Sequence, residues 1–262
     1  MMQKTKKIHQ KNLNIFTFDN YSKYYDLLYK DKNYNAESIY IHNLLKQFNM
    51  RGKKILELGS GTGRHANILT KYGYKIIGIE HSVKMASQAK QTENFKCVIG
   101  DMVEVTLNKK FDSVISLFHS ISYLTKNDSL QALFKNTYNH LIKNGLFIFD
   151  VWYSPSVIFN QPEVRVKKIA DNNIEILRVA QPEIFENQNV VNVNYTIIIK
   201  DKKMKKISKI EETHTMRHFS IPELTFIANQ MGFVVEHTEE FLTKNTPSHN
   251  TWGVCFVLRK AN

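Results

Sequence analysis

The chain reads as an α/β protein in which strands alternate with helices, interrupted late by a block of antiparallel β structure. Short apolar runs, each followed by a segment of helical period, recur from residue 53 to residue 151, as βα units sharing one sheet do. Between 164 and 216 the apolar period becomes two, with turn chemistry at Asp171-Asn172-Asn173 and Asp201-Lys202. That stretch is expected to add about four antiparallel strands to the parallel sheet.

The elements follow in order. Residues 1–15 are polar and lysine-rich without periodicity, and are expected to be a loosely attached tail. Tyr21, Tyr24, Tyr25 and Leu28, then Ile39, Ile41, Leu44, Leu45 and Phe48, predict two amphipathic helices broken near residues 30–33. These helices would cap a cleft, although Tyr24, Tyr25 and Tyr29 read equally as ordinary core aromatics. Strands are predicted at 53–58, 75–80, 95–99, 111–117 and 145–151, with helices at 64–72, 82–91 and 127–142. In the insertion the expected strands are 164–169, 174–180, 190–199 and 207–216, after which a helix at 222–231 and strands at 232–240 and 251–259 complete the first sheet. The organisation is a tail and helical cap (1–48), a ligand-binding core (49–155), the β insertion (156–217) and a return to the core (218–262).

Composition narrows the function classes. At 262 residues and 42% hydrophobic content the core is ample for one domain with an insertion. No apolar run approaches the ~18 residues of a membrane span, and the charged N-terminus has no signal-peptide core, so the protein is expected to be cytoplasmic. Cys97 and Cys255 lie in strand-like runs without a C-x-x-C or a histidine at metal spacing; they are expected to be core thiols, with no disulfide and no metal. The net charge of +12 is compatible with nucleic acid, an anionic surface or an acidic small substrate. Its lysines are scattered, and no run interleaves aromatics with arginines, which argues against nucleic acid. Lys202, Lys203, Lys205 and Lys206 read as a solvated hairpin tip, or else as positive potential toward a nucleotide diphosphate. His214 and His218 read as part of a solvated strand end.

The chemistry concentrates at Glu57-Leu58-Gly59-Ser60-Gly61-Thr62-Gly63. Three alternating glycines let the backbone turn tightly and approach a ligand, and the following helix aims free N–H groups at the same place. Gly61-Thr62-Gly63-Arg64-His65-Ala66 also resembles the dinucleotide pattern. Glu57 separates the two readings, because a carboxylate repels a pyrophosphate and attracts the two cations of S-adenosylmethionine. Glu80 ends the next strand about twenty residues on, where a ribose-binding acid belongs. Ser82 is a candidate N-cap, and Met85 a candidate wall for adenine. Asp101 would accept the exocyclic amine beside an apolar wall from Met102, Leu117 and Phe118 are further candidate cofactor contacts, and the fourth strand ends at Phe118-His119-Ser120, where the reactive methyl would face the substrate.

These residues resemble the class I S-adenosylmethionine-dependent methyltransferases over roughly residues 40–155 and 216–262. A closer resemblance is to the N-methyltransferases of nucleotide-linked amino-deoxysugars, through Tyr24-Tyr25-Asp26-Leu27-Leu28-Tyr29, Asp31-Lys32-Asn33-Tyr34, Phe118-His119-Ser120-Ile121-Ser122-Tyr123-Leu124 and Asp150-Val151-Trp152-Tyr153. Some members carry paired tryptophans where this chain has Trp152-Tyr153, and histidine where it has Tyr123. The resemblance implies a Rossmann-like seven-stranded class I methyltransferase sheet with an antiparallel β insertion. S-adenosylmethionine would be the cofactor, leaving as S-adenosylhomocysteine. The resemblance further implies cofactor contacts from Tyr25 and His81 beside those above, and acceptor contacts from Tyr34, Trp152 and Tyr153. Arg165 and Arg217 bracket the insertion and are candidates to grip a diphosphate.

An amine acceptor must arrive neutral, so Tyr123 and His119, both after the fourth strand, are the candidate proton acceptors; His119 reads equally as a hydrogen-bonded strand-end residue. The expected partner is a small molecule, with neither nucleic acid nor membrane, and the protein a monomer or homodimer. Alternatives are another acceptor, a hydroxyl or RNA, or a dinucleotide oxidoreductase.

Overall fold

The computed structural model describes residues 22–261; the tail expected over 1–15, and Tyr21, lie outside them. The chain opens with α1 (Ser22–Leu28) and α2 (Tyr34–Gln47), the latter capped by the Asn33 side chain accepting from Ala36 N. The core then runs through β1 (Lys54–Leu58), α3 (Arg64–Leu69), β2 (Lys75–Glu80), α4 (Val83–Gln88), β3 (Phe95–Ile99), β4 (Phe111–Ser116), α5 (Asn127–His140) and β5 (Leu141–Trp152). After α6 (Ser154–Phe159) come β6 (Arg165–Ala170), β7 (Ile174–Phe185), β8 (Val190–Asp201) and β9 (Lys206–Arg217); α7 (Ile221–Gln230), β10 (Phe233–Glu240) and β11 (Gly253–Lys260) return to the core.

Seven strands form one sheet in the order β10-β11-β5-β4-β1-β2-β3, parallel from β5 to β3 and antiparallel around β11. This is the class I methyltransferase architecture that the sequence predicts. One face packs Phe134, Phe147, Phe149 and Phe233 under α5 and α7, and the other packs Ile41, Leu44, Leu69, Ile76 and Phe95 under α2 and α3. Because β4 and β1 are central, the ends of β1, β2 and β4 open onto one rim where the strand order reverses, the usual place for a ligand in such sheets.

The insertion is a separate four-stranded antiparallel sheet, β6-β7-β8-β9. One of its faces carries Ile169, Ile176, Ile197 and Ile199, which pack on Tyr25, Leu28 and Met85, so the insertion closes over the helical cap. β7 continues five residues past Ala180, through Pro182, contrary to the expected end at 180. β6 does not flank β7 beyond Ala180, so Pro182 sits where one side of the strand is an edge and its missing N–H costs no ladder bond.

Other boundaries shift for local reasons. The helix expected over 64–72 tightens into a 3-10 turn over Thr70–Tyr72 that ends at Gly73, with φ of +83°. The helix expected over 82–91 stops at Gln88, capped at its start by Ser82 Oγ accepting from Met85 N at 3.3 Å, and the Asn67 amide holds the carbonyl of Lys90 outside it. The fifth strand begins at Leu141, four residues early, because Leu141 pairs with Phe111. Cys255 is buried, whereas Cys97, on edge strand β3, is half-buried, a correction to its reading as a core thiol.

Candidate active site

The rim is built first from backbone. Gly59, Gly61 and Gly63 all have positive φ (+72°, +55° and +73°), and a Cβ at Gly63 would lie 2.3 Å from the Phe95 ring. The loop therefore requires glycine there for both conformation and space. Gly61 N donates to Glu80 Oε2 at 2.8 Å and Ser82 N to Oε1 at 2.8 Å, so the acid at the end of β2 is fixed by the loop and by the start of α4. Burial raises the Glu80 carboxyl above its usual range, and these two N–H groups oppose the shift.

Glu57 is 1% exposed, and its Oε2 is buried with no partner among the described residues. Burial, with the Glu80 charge second, pushes it up to about 8. A buried, unpartnered carboxylate at a strand end matches a ligand cation. Together with the second acid and the glycine cradle it fits the ammonium and ribose of S-adenosylmethionine, and it opposes a pyrophosphate.

The cap is tied to this loop from above. Thr62 Oγ1 donates to Asp26 at 3.1 Å, and His65 Nε2 lies 2.7 Å from Glu37 Oε2. Burial pushes Glu37 up, but His65 and Lys32 prevail and hold it below the usual range. The Lys32 ammonium, bonded to Glu37, stands 3.9 Å over the Phe118 ring and 5.1 Å over Tyr34. A cation thus lies within an aromatic surround beside the rim.

Beyond β4 the backbone is strained: Phe118 and His119 both have φ of +59°. His119 N donates to Asp150 Oδ2 at 3.2 Å, and its Nδ1 lies 2.8 Å from the same oxygen, off the axis of a good hydrogen bond. Asp150 is 1% exposed, so His119 is paired with a buried carboxylate and turned toward the ring of Trp152, 6.2 Å away. Tyr123, in the next 3-10 turn, has its hydroxyl 2.8 Å from His214 Nδ1, and His214 Nε2 lies 2.9 Å from Glu212 Oε1. His214 and His218 are both buried, which corrects the expectation of a solvated strand end. Burial, with Arg217 second, lowers His218 to about 4; it bonds Ser154.

The remaining candidates divide between the rim and elsewhere. Met85 is buried beside the glycine loop, its Cε 3.5 Å from the place a Cβ of Gly61 would take, and Met102 Cε lies 3.5 Å from the corresponding point at Gly59. Asp101 Oδ1 accepts from Val103 N at 2.9 Å, and its Oδ2 lies 4.0 Å from exposed His81. Leu117 is buried, with its carbonyl bonded by Ser120, and Phe118 touches Tyr29. Tyr25 and Tyr34 are buried in the cap, and Trp152 meets Trp252 edge to face, with ring centroids 6.5 Å apart. Tyr153 starts α6, its N–H on the Trp252 carbonyl.

Arg165 and Arg217 are not brought together. They lie on opposite edge strands of the second sheet, and the Arg217 guanidinium already bonds Glu223 (2.6 Å) and Asn127 (2.7 Å). A pair gripping one diphosphate is therefore not what the fold assembles. The insertion cations that do face the cap are Lys167, which donates to the Leu28 carbonyl at 2.6 Å, and Arg178, 5.3 Å over the Tyr195 ring and 5.8 Å over Tyr29. Arg178, Tyr195, Glu212 and His214 were missed as site residues, though the sequence carries a signal. They occupy the same strand parity as Ile176, Ile197 and Met216, so they are polar groups on the face that the apolar residues bury.

A methyltransferase domain family model matches residues 55–145, the span from β1 through the start of β5. Residues 55–145 are thus a methyltransferase domain, set in a sheet of the class I S-adenosylmethionine-dependent methyltransferase architecture. This methyltransferase is 27% identical over 253 residues, 93% of its length and 100% of the other, to a Geobacillus sp. (strain WCH70) protein named for a methyltransferase without a stated substrate. It is 28% identical over 218 residues, 82% of its length and 90% of the other, to a Streptomyces venezuelae dTDP-3-amino-3,4,6-trideoxy-alpha-D-glucopyranose N,N-dimethyltransferase. In fold it is similar to the SAM-bound amino pentose methyltransferase CalS10 from Micromonospora echinaspora, with a TM-score of 0.75 at 19% identity over 97% of this chain and 100% of that one. Among the described residues of this methyltransferase no helix is long and apolar enough to cross a membrane.

Proposed function

We propose that this methyltransferase transfers a methyl group to the amine of a nucleotide-linked amino-deoxysugar. The observation that carries the reading is the extent of the likeness: the S. venezuelae relative matches over 82% of this chain, well beyond the 55–145 core common to methyltransferases of many acceptors. The inner face of the insertion fits that acceptor class, since aromatic rings suit a sugar's apolar face and Arg178 suits an anionic linkage.

When bound, S-adenosylmethionine supplies a methyl carbon already activated by its sulfonium. Glu57 would take the cofactor's ammonium, Glu80 its ribose hydroxyls, and Met85 with Asp101 its adenine. The chain's remaining work is alignment, exclusion of water and management of one proton. The cap, pinned by Asp26–Thr62 and Glu37–His65, covers the cleft. Tyr123 and His119 stand at the rim as proton acceptors for the amine. A second reading, transfer to a hydroxyl, is favoured by the His119–Asp150 pair, because a hydroxyl acceptor needs a base positioned at the rim and Asp150 orients this histidine there.

The deciding assay supplies methyl-labelled cofactor with a panel of nucleotide-linked amino sugars, their hydroxyl counterparts and total RNA. Label is expected in the amino series. Label confined to the hydroxyl compounds or to RNA overturns the amine. Tyr123→Phe and His119→Ala are expected to lower turnover ~10- to 100-fold with S-adenosylhomocysteine affinity nearly unchanged.

A further inference from the structure

We infer that His214 and Glu212 of the insertion sheet form, with Tyr123, a relay that draws the proton off the acceptor amine; this rests on the reading of the acceptor as an amine. The three side chains are in line: Tyr123 hydroxyl to His214 Nδ1 at 2.8 Å, and His214 Nε2 to Glu212 Oε1 at 2.9 Å. The contact between Tyr123 and His214 spans 91 residues of sequence, so only the docking of the insertion on the core creates it.

The carboxylate settles the direction. Glu212 can only accept, which fixes the proton on Nε2 and leaves the Nδ1 lone pair to accept from the Tyr123 hydroxyl. A phenol that donates to a histidine nitrogen can in turn accept from an N–H donor. The histidine and glutamate side chains are 3% and 7% exposed, on a face that buries Ile197, Ile199 and Met216. Placing an ionisable pair there is costly, and apolar side chains of similar volume would pack at least as well.

Tyr123 is an unsuitable base by itself, because burial, with Tyr195 and Tyr29 next, raises its phenol well above its ordinary range. It accepts a proton only by passing one on. In the step, the substrate ammonium N–H bond breaks as its proton moves to the Tyr123 oxygen, and the Tyr123 O–H bond breaks as its proton moves to Nδ1. The phenol ends unchanged, the amine regains its electron pair, and the new imidazolium is held beside the Glu212 carboxylate. It returns the proton to water when the cleft opens.

Groups that face His214 among the described residues include Tyr123 from the turn after β4, Tyr195 from β8 with its ring 4.9 Å away, and Glu212 from its own strand. Arg178 and Tyr29 stand behind Tyr195, and Glu80 lies toward Tyr123.

The test compares the full-length enzyme with His214→Asn, Glu212→Gln and Tyr123→Phe, measuring kcat on a panel of nucleotide-linked amino sugars from about pH 6 to about pH 9.5. His214→Asn is expected to lose ~10- to 100-fold near neutrality and to recover as pH approaches the free amine's own pKa, where the substrate arrives neutral. Glu212→Gln loses less, and S-adenosylhomocysteine affinity stays level. Nitrogen NMR of the ligand-free protein, with the signal assigned by its loss in His214→Asn, is expected to show the Nε2–H tautomer. A loss equal at every pH, no loss, or an Nδ1–H tautomer overturns the relay while leaving amino-sugar methylation standing. Wild-type enzyme inactive on the whole amino series overturns both.

Discussion

Glu80 and His214 are both buried at the cleft, yet they are held by opposite means. Glu80 is gripped by two backbone N–H groups, from Gly61 and Ser82, that lie 19 and 2 residues away. His214 is held by side chains, one of them 91 residues away. The side of the cleft proposed for the cofactor is thus a property of one loop between two adjacent strands. The side proposed for the acceptor exists only where a second sheet docks on the first. Backbone contacts tolerate drift in side-chain identity, whereas a site assembled from distant side chains can be retuned one residue at a time. This is how a common core accepts different acceptors.

Three measurements break or sharpen that contrast. The largest effect is expected on the backbone side: Gly63→Ala forces a left-handed residue against Phe95 and should cost about 2–4 kcal/mol of stability in denaturant titration. Stability within error of wild type would mean that the loop does not depend on its glycines.

Glu80→Ala should weaken S-adenosylhomocysteine binding by about 1–3 kcal/mol in calorimetry, since it removes charge-assisted bonds and releases the loop. If affinity is unchanged, the ribose lies elsewhere, and the loop alone carries the cofactor side.

The smallest effect concerns protons. Glu57 is raised to about 8, so below that pH it holds a proton that a ligand cation displaces. Binding of S-adenosylhomocysteine at pH 7 should release on the order of one proton, with affinity rising with pH up to about 8 and then levelling. In the ligand-free protein the same group has the opposite sign: its contribution to stability is complete below the ordinary carboxylate range and is lost as pH rises through about 8. Calorimetry in buffers of differing ionisation enthalpy reads the proton count directly. No release would place the ammonium away from Glu57.

The sheet was legible because its signals are local. Apolar runs of strand length, Ser82 as a cap and the turn chemistry of Asp171, whose Oδ1 accepts from Asn173 N and Ile174 N, each act within a few residues. Glu57, Glu80 and the glycines were readable for the same reason, since strand geometry alone brings them to one rim. What the sequence did not disclose is which polar residues of the insertion turn inward and what they meet. Arg217, a candidate to grip a diphosphate, is engaged by Glu223 and Asn127, while Lys167 and Arg178 face the cap. His214 reads as surface in a one-dimensional pattern and becomes part of a buried chain from Glu212 to Tyr123. Local sequence determines strand, helix and loop because those depend on near-neighbour dihedrals and periodicity. Partners across two sheets depend on register and docking, which are set by the burial of many side chains at once, and only the tertiary structure decides them.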